Sequence, residues 1–179
     1  NDSETTKSIY LGAQPFQPQH KATTGQETTI DGETYYKIES VDRMRPFFMS
    51  IVSHSDHWMF LSSNGGLSAG RINSDHALFP YYTDDKITES FETTGSKTYF
   101  LIEKDDRYLL WAPFSQVHRG IYKTERNLYK NAFGNKVIFE EINHDLNLRF
   151  SYQWAPSEQF GFLRNVRLTS LSSGPVRVK

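Results

Sequence analysis

Residues 146–152 alternate without a fault: Leu146, Leu148, Phe150 and Tyr152 are apolar, and Asn147, Arg149 and Ser151 between them are polar. A period of two sends successive side chains to opposite faces of an extended strand. A helix cannot sort this pattern, because its faces repeat every 3.6 residues. The segment therefore predicts a half-buried strand that needs a second apolar layer to cover it. Val166 and Leu168 alternate with Arg167 and Thr169 in the same way and predict a second one-faced strand.

The rest of the chain has the same grain. Strands are expected at residues 35–38, 47–53, 58–62, 97–103, 107–111, 120–126, 136–143, 146–154, 161–170 and 176–179. Turn signals separate them: Asp31-Gly32, Asn64-Gly65-Gly66, Lys104-Asp105-Asp106, and residues 143–145 and 172–175. No segment predicts a long helix; residues 75–78 could make one turn. Short strands at regular spacing define an all-β fold, an antiparallel two-sheet sandwich. Aromatic residues make up 15% of the 179, which suits pleated, half-buried surfaces.

Two regions stand apart. Residues 1–29 are polar and irregular and read as an N-terminal arm or linker, with one short strand near Ile9; residues 30–179 form the sandwich domain. Residues 67–85 have no clean period and read as a long loop ending in Phe79-Pro80-Tyr81-Tyr82. The closing stretch Val176-Arg177-Val178-Lys179 alternates like a strand and then stops, so the domain is expected to continue in a longer chain. The chain opens on Asn1-Asp2-Ser3 without an initiator Met, as either a removed export signal or a trimmed chain would leave it; a periplasmic or secreted location is slightly favoured over the cytoplasm.

Charge and composition narrow the chemistry. The net charge is −1 with no basic stripe, which argues against a nucleic-acid partner. No apolar run approaches the roughly 18 residues that a membrane span needs. With no cysteine, disulfides, thiolate metal sites and cysteine nucleophiles are excluded. His54-Ser55-Asp56-His57 has metal-ligand spacing but lacks a fixed third ligand, and it reads as a solvated turn between two buried strands. No metal or other cofactor is expected.

Catalytic patterns are also missing. The pairs Asp84-Asp85 and Asp105-Asp106 are sequence neighbours, which point apart on a strand and cannot flank a glycosidic bond together. There is no Gly-x-Ser-x-Gly elbow and no phosphate loop. What remains is aromatic: Trp58, Tyr81, Tyr82, Trp111 and Trp154 could stack on sugar rings. Trp58 and Trp111 fit core strands, whereas Tyr81 and Tyr82 follow Pro80 in the long loop.

An ordered set of motifs adds a resemblance. It runs through Pro46-Phe47-Phe48, Ile51-Val52-Ser53, Trp58-Met59-Phe60-Leu61-Ser62, Asn64-Gly65-Gly66, Asn73-Ser74 and Leu78-Phe79-Pro80-Tyr81-Tyr82-Thr83-Asp84-Asp85. It continues through Leu110-Trp111-Ala112-Pro113 and Val117-His118-Arg119-Gly120-Ile121-Tyr122. In this order the motifs resemble the N-terminal β-sandwich domain of the family 94 glycoside phosphorylases, the group of cellobiose, cellodextrin and chitobiose phosphorylases. Leu67-Ser68-Ala69 and Pro80-Tyr81 depart from the family pattern and place the chain in a divergent branch.

The resemblance implies a supersandwich of the galactose-mutarotase type. It implies a non-catalytic domain beside an (α/α)6 catalytic barrel of a phosphorylase or hydrolase, with an oligo- or polysaccharide as partner and a homodimer among the expected assemblies. Candidate carbohydrate contacts are Arg71, Asn73, Tyr81, Tyr82, Asp84 and Asp85 from residues 67–85, together with His118 and Trp154. A free-standing carbohydrate-binding module is the alternative.

Overall fold

A computed structural model describes residues 9–12, 22–78, 83–95 and 97–179, without the side chains of residues 9–11 and 84. The strands, in chain order, are β1 (Ile9–Leu11), β2 (Thr24–Ile30), β3 (Glu33–Glu39), β4 (Phe48–Ile51), β5 (His57–Ser62) and β6 (Leu67–Arg71). A short helix, α1 (Asp84–Glu89), precedes β7 (Phe100–Lys104) and β8 (Arg107–Trp111). Then come β9 (Thr124–Asn131), β10 (Val137–Asn143), β11 (Leu148–Ser157), β12 (Gly161–Ser170) and β13 (Arg177–Val178).

These strands form three sheets. A six-stranded sheet has the order β12-β11-β10-β9-β3-β2, a four-stranded sheet β1-β8-β7-β13, and a three-stranded sheet β4-β5-β6. Every pairing is antiparallel except that of β1 with β8. The fold is all-β, with antiparallel sheets packed in a sandwich-like arrangement.

One hydrophobic core joins the sheets. The six-stranded sheet contributes Leu128, Val137, Phe139, Leu148, Phe150 and Tyr152. Register explains the set: Leu128 pairs with Phe139 and Phe139 with Tyr152, so all three share a face. Against them pack Ile102, Leu109 and Trp111 from β7 and β8, and Met59, Leu61, Leu67 and Ala69 from β5 and β6. The alternation of residues 146–152 is thus the inner face of β11.

A buried polar node sits inside this core. The Glu141 side chain is 2% exposed. Its Oε1 accepts the Trp111 indole N–H at 2.9 Å. Its Oε2 accepts the Phe114 backbone N–H at 2.8 Å and Arg126 Nε at 2.7 Å. The carboxylate thereby ties β8, the connection after it, and β9 to β10.

Several expectations change. Residues 67–85 are not one long loop: β6 pairs with β5 through residues 67–71, and α1 begins at Asp84. Sequence could not expose β6, because four of its five residues are buried and no polar face alternates. The strand expected at 120–126 lies instead at Thr124–Asn131, where buried Asn127 and Asn131 break the apolar pattern. β2 is a polar edge strand paired with β3, which is why its residues read as irregular.

β12 corrects a further expectation. Val166 and Leu168 lie opposite Tyr152 and Phe150, on the core side of the sheet. Yet they are 58% and 37% exposed, unlike their partners on β11. The alternation set the face correctly, but on this edge strand the face is not covered.

Candidate functional site

The three-stranded sheet uses its two faces differently. Met49 and Ile51 of β4, Met59 and Leu61 of β5, and Leu67 and Ala69 of β6 point into the core. The alternate positions Phe48, Ser50, Trp58 and Phe60 therefore lie on the other face. Phe48 pairs with Ser62 and Ser50 with Phe60, so Phe48 is the diagonal neighbour of Phe60. The result is a row of three rings. Trp58 and Phe60 have centroids 5.5 Å apart at 33°, and Phe60 and Phe48 are 5.3 Å apart at 31°.

The row is held at one end and open at the other. The Trp58 indole N–H donates to the Asn73 carbonyl at 3.3 Å. Its ring lies so close to Gly70 that a Cβ there would meet Trp58 Cζ2 at 2.5 Å, so residue 70 has to be glycine. Phe48, at the other end, is 43% exposed. Trp58 is thus displaced from the core position expected of it, because Met59 and Leu61 supply the inner face; Trp111 does lie in the core, 1% exposed.

Beyond Phe48 the row runs into a groove of about 410 Å3, lined by Phe48, Tyr36, Phe47, Glu27, Thr34 and Lys130 among others. Tyr36 is 53% exposed and adds a fourth accessible ring. The wall behind it is preorganised by hydrogen bonds. Asn131 Nδ2 donates to Glu33 at 2.6 Å, and Lys136 Nζ donates to the same carboxylate at 2.7 Å. The Lys136 bond, followed by that from Asn131, holds the Glu33 carboxyl below its usual pKa. Tyr35 donates to Glu33 and accepts from Gln153 Nε2, and burial, foremost, pushes its phenol up to about 12. Apolar rings beside fixed polar groups suit a ligand with both apolar and hydroxylated faces.

The candidates drawn from sequence fall in different places. Tyr81 and Tyr82 lie outside the described residues, as does the side chain of Asp84. Asp85 is exposed on α1. Arg71 ends β6, exposed, and Asn73 follows at the Trp58 end of the row. Asn73 Oδ1 accepts the Asp75 N–H at 3.1 Å and lies 2.7 Å from His76 Nδ1. Of these, Asn73 neighbours the row, whereas Arg71 pairs with His57 and so projects from the opposite face of the sheet.

His118 and Trp154 are elsewhere. Trp154 packs against the core from β11. His118 sits in the connection between β8 and β9, half-buried, with its Nδ1 lacking a hydrogen-bond partner. Sequence reasoning passed over Phe48, Phe60, Tyr36, Glu27 and Lys130. A faint signal existed: Phe48 and Phe60 alternate with Met49, Met59 and Leu61.

Among the described residues, no three His, Cys, Asp or Glu side chains group to hold a metal ion. His57 Nδ1 lies 2.8 Å from Ser55 Oγ, and its ring meets the edge of Phe162. Asp105 and Asp106 both have positive φ, 50° and 58°, and form the turn between β7 and β8. Glu141 is consumed by its three donors. No protein-family model and no curated protein sequence matches the chain.

Proposed function

We propose that this chain is a non-catalytic carbohydrate-binding domain of a carbohydrate-active enzyme, resembling the N-terminal domain of glycoside phosphorylases. The observation that supports it most is the row Trp58, Phe60 and Phe48 on the face of the sheet turned away from the core. Rings about 5 Å apart, tilted by only 31° and 33°, give a continuous apolar strip on which the C–H faces of successive sugar rings can lie. Glu27, Thr34 and Lys130 in the adjoining groove offer hydrogen bonds to hydroxyls.

Glycan-array screening followed by calorimetric titration tests this reading. Binding of a neutral oligosaccharide, weakened about tenfold or more by Phe48→Ala, is the expected result. An array without hits, or equal binding by the variant, refutes it.

A second reading, assembly with another copy, is favoured by the free edge strand β12, where Val166 and Leu168 are exposed. Antiparallel self-pairing centred on Val166 would set Asn165 against Arg167 and leave no like charges directly opposed. Light scattering decides it. A dimer that Val166→Glu dissociates supports the reading, and a monomer at all concentrations excludes it.

A further inference from the structure

A second, smaller cavity of about 60 Å3 shares no lining residue with the groove. Its walls come from β11, β12, the segment after α1 and the connection after β8, and include Tyr152, Phe114, Thr98, Ser115, the Glu92–Lys97 pair and Arg164. The volume suits a compact ion or a few waters, not a sugar ring.

Arg164 is the unusual member. Its guanidinium lies over the Tyr152 ring, 4.4 Å from the centroid, and Tyr152 in turn stacks on Phe139 at 4.9 Å. The Arg164 Nε is buried and has no hydrogen-bond partner. Among the described residues no carboxylate pairs with it. The carboxylate that shares the cavity wall, Glu92, is already committed: it accepts Lys97 Nζ at 2.7 Å and the Gln116 N–H at 3.2 Å. Those bonds, that of Lys97 first, hold its carboxyl below the usual range.

The Glu92–Lys97 pair is therefore self-compensated, and the charge of Arg164 is left over. Burial works against that charge and lowers its pKa. A half-buried guanidinium with open donors facing a cavity is the arrangement that takes a planar or tetrahedral oxyanion through paired N–H bonds. A stacked ring behind it fixes the fork and lowers the entropy lost on binding.

We infer that this cavity is a binding site for a small oxyanion, a carboxylate or a phosphate group, held by the Arg164 guanidinium over the Tyr152 ring. The site does not depend on the aromatic row, so either can fail without the other.

The test is titration of the whole chain at constant ionic strength with inorganic phosphate, acetate and formate, followed by calorimetry and by thermal midpoint. Saturable binding at one site per chain is expected, with a raised midpoint. Arg164→Met should weaken it about tenfold or more, the loss of charge-assisted hydrogen bonds. Phosphate alone binding would identify a phosphate site, and acetate or formate alone a carboxylate site; both outcomes support the inference. No binding by any of the three, or equal binding by Arg164→Met, overturns it. Should Arg164→Met fail to fold, Arg164→Lys decides: it keeps the charge but loses the planar fork, and undiminished binding by it overturns the inference equally.

Discussion

Replacing Glu141 by leucine should destabilise the domain by about 4 kcal/mol, and the reasoning can be checked by a second substitution. Three donors converge on this carboxylate: the Trp111 indole, the Phe114 backbone N–H and Arg126 Nε, all within 2.7–2.9 Å. The Arg126–Glu141 pair is nearly dry, with side chains 11% and 2% exposed. Removing one partner of such a pair strands a charge and costs about 3–5 kcal/mol. Leucine fills most of the volume, so a cavity adds little. Arg126 keeps one bond, from Nη2 to the Ser115 carbonyl at 2.9 Å, which limits the loss. Urea unfolding followed by Trp fluorescence measures the change. In a chain of this size about 4 kcal/mol lowers the thermal midpoint by roughly 10 °C. Adding Arg126→Met to Glu141→Leu removes the stranded charge and should restore about 2 kcal/mol, because an apolar replacement of the whole ion pair is close to neutral. The Trp111 and Phe114 donors would still lack an acceptor, so recovery stays partial. If the double variant is less stable than Glu141→Leu alone, Arg126 is not acting through this carboxylate and the account of the node is wrong.

Gly66→Ala should lose about 1–3 kcal/mol in the same unfolding assay, since its Cβ would fall 1.9 Å from the Ile87 carbonyl oxygen and force α1 away from the β5–β6 turn. On the acid side, Glu33 is held below its ordinary value of 4.5, so its contribution is complete above that pH and is lost as pH falls through the lowered value; Glu33→Gln should flatten this limb of a stability–pH curve. On the alkaline side, the unfolded Tyr35 ionises near its ordinary value of 10 while the folded phenol holds its proton to about 12. Stability from Tyr35 is therefore full below pH 10 and lost as pH rises toward 12, and Tyr35→Phe should reduce that loss in alkaline unfolding curves.

The strands that sequence placed best are those with one wet and one dry face. The bounds of β8 are those expected, and the alternation of residues 146–152 reads out the inner face of β11 directly; β12 is also bounded as expected, by its alternation, although its core-side face is left uncovered. Strands wet or dry on both faces were harder. β6 is buried nearly throughout, and β2 is polar along most of its length, so neither carries a period. The site was half legible for a related reason. Trp58 and its neighbour Asn73 could be singled out as residues, but the row depends on Phe48 pairing with Ser62, a register no local pattern encodes. Arg164 was invisible for a different reason. Its significance lies in the partner it lacks, and that is a property of several segments brought together, not of any one.

Stability and binding should separate on the three-stranded sheet, because its two faces hold different residues. Met49, Ile51, Met59 and Leu61 close the core from one side. Phe48, Trp58 and Phe60 lie on the other side, where they pack on one another. Removing Phe48 would leave no cavity in the core, since its ring already faces solvent over nearly half its surface. It would forfeit one ring pair, worth about 1 kcal/mol. Met59→Ala, on the neighbouring strand but the inner face, should instead cost about 2–5 kcal/mol, the usual range for emptying a buried methionine site. A domain that loses ligand on Phe48→Ala while keeping its unfolding midpoint within a few degrees would mark the outer face as a binding surface held up by an independent core. Equal destabilisation by the two substitutions would mean instead that the row is part of the packing.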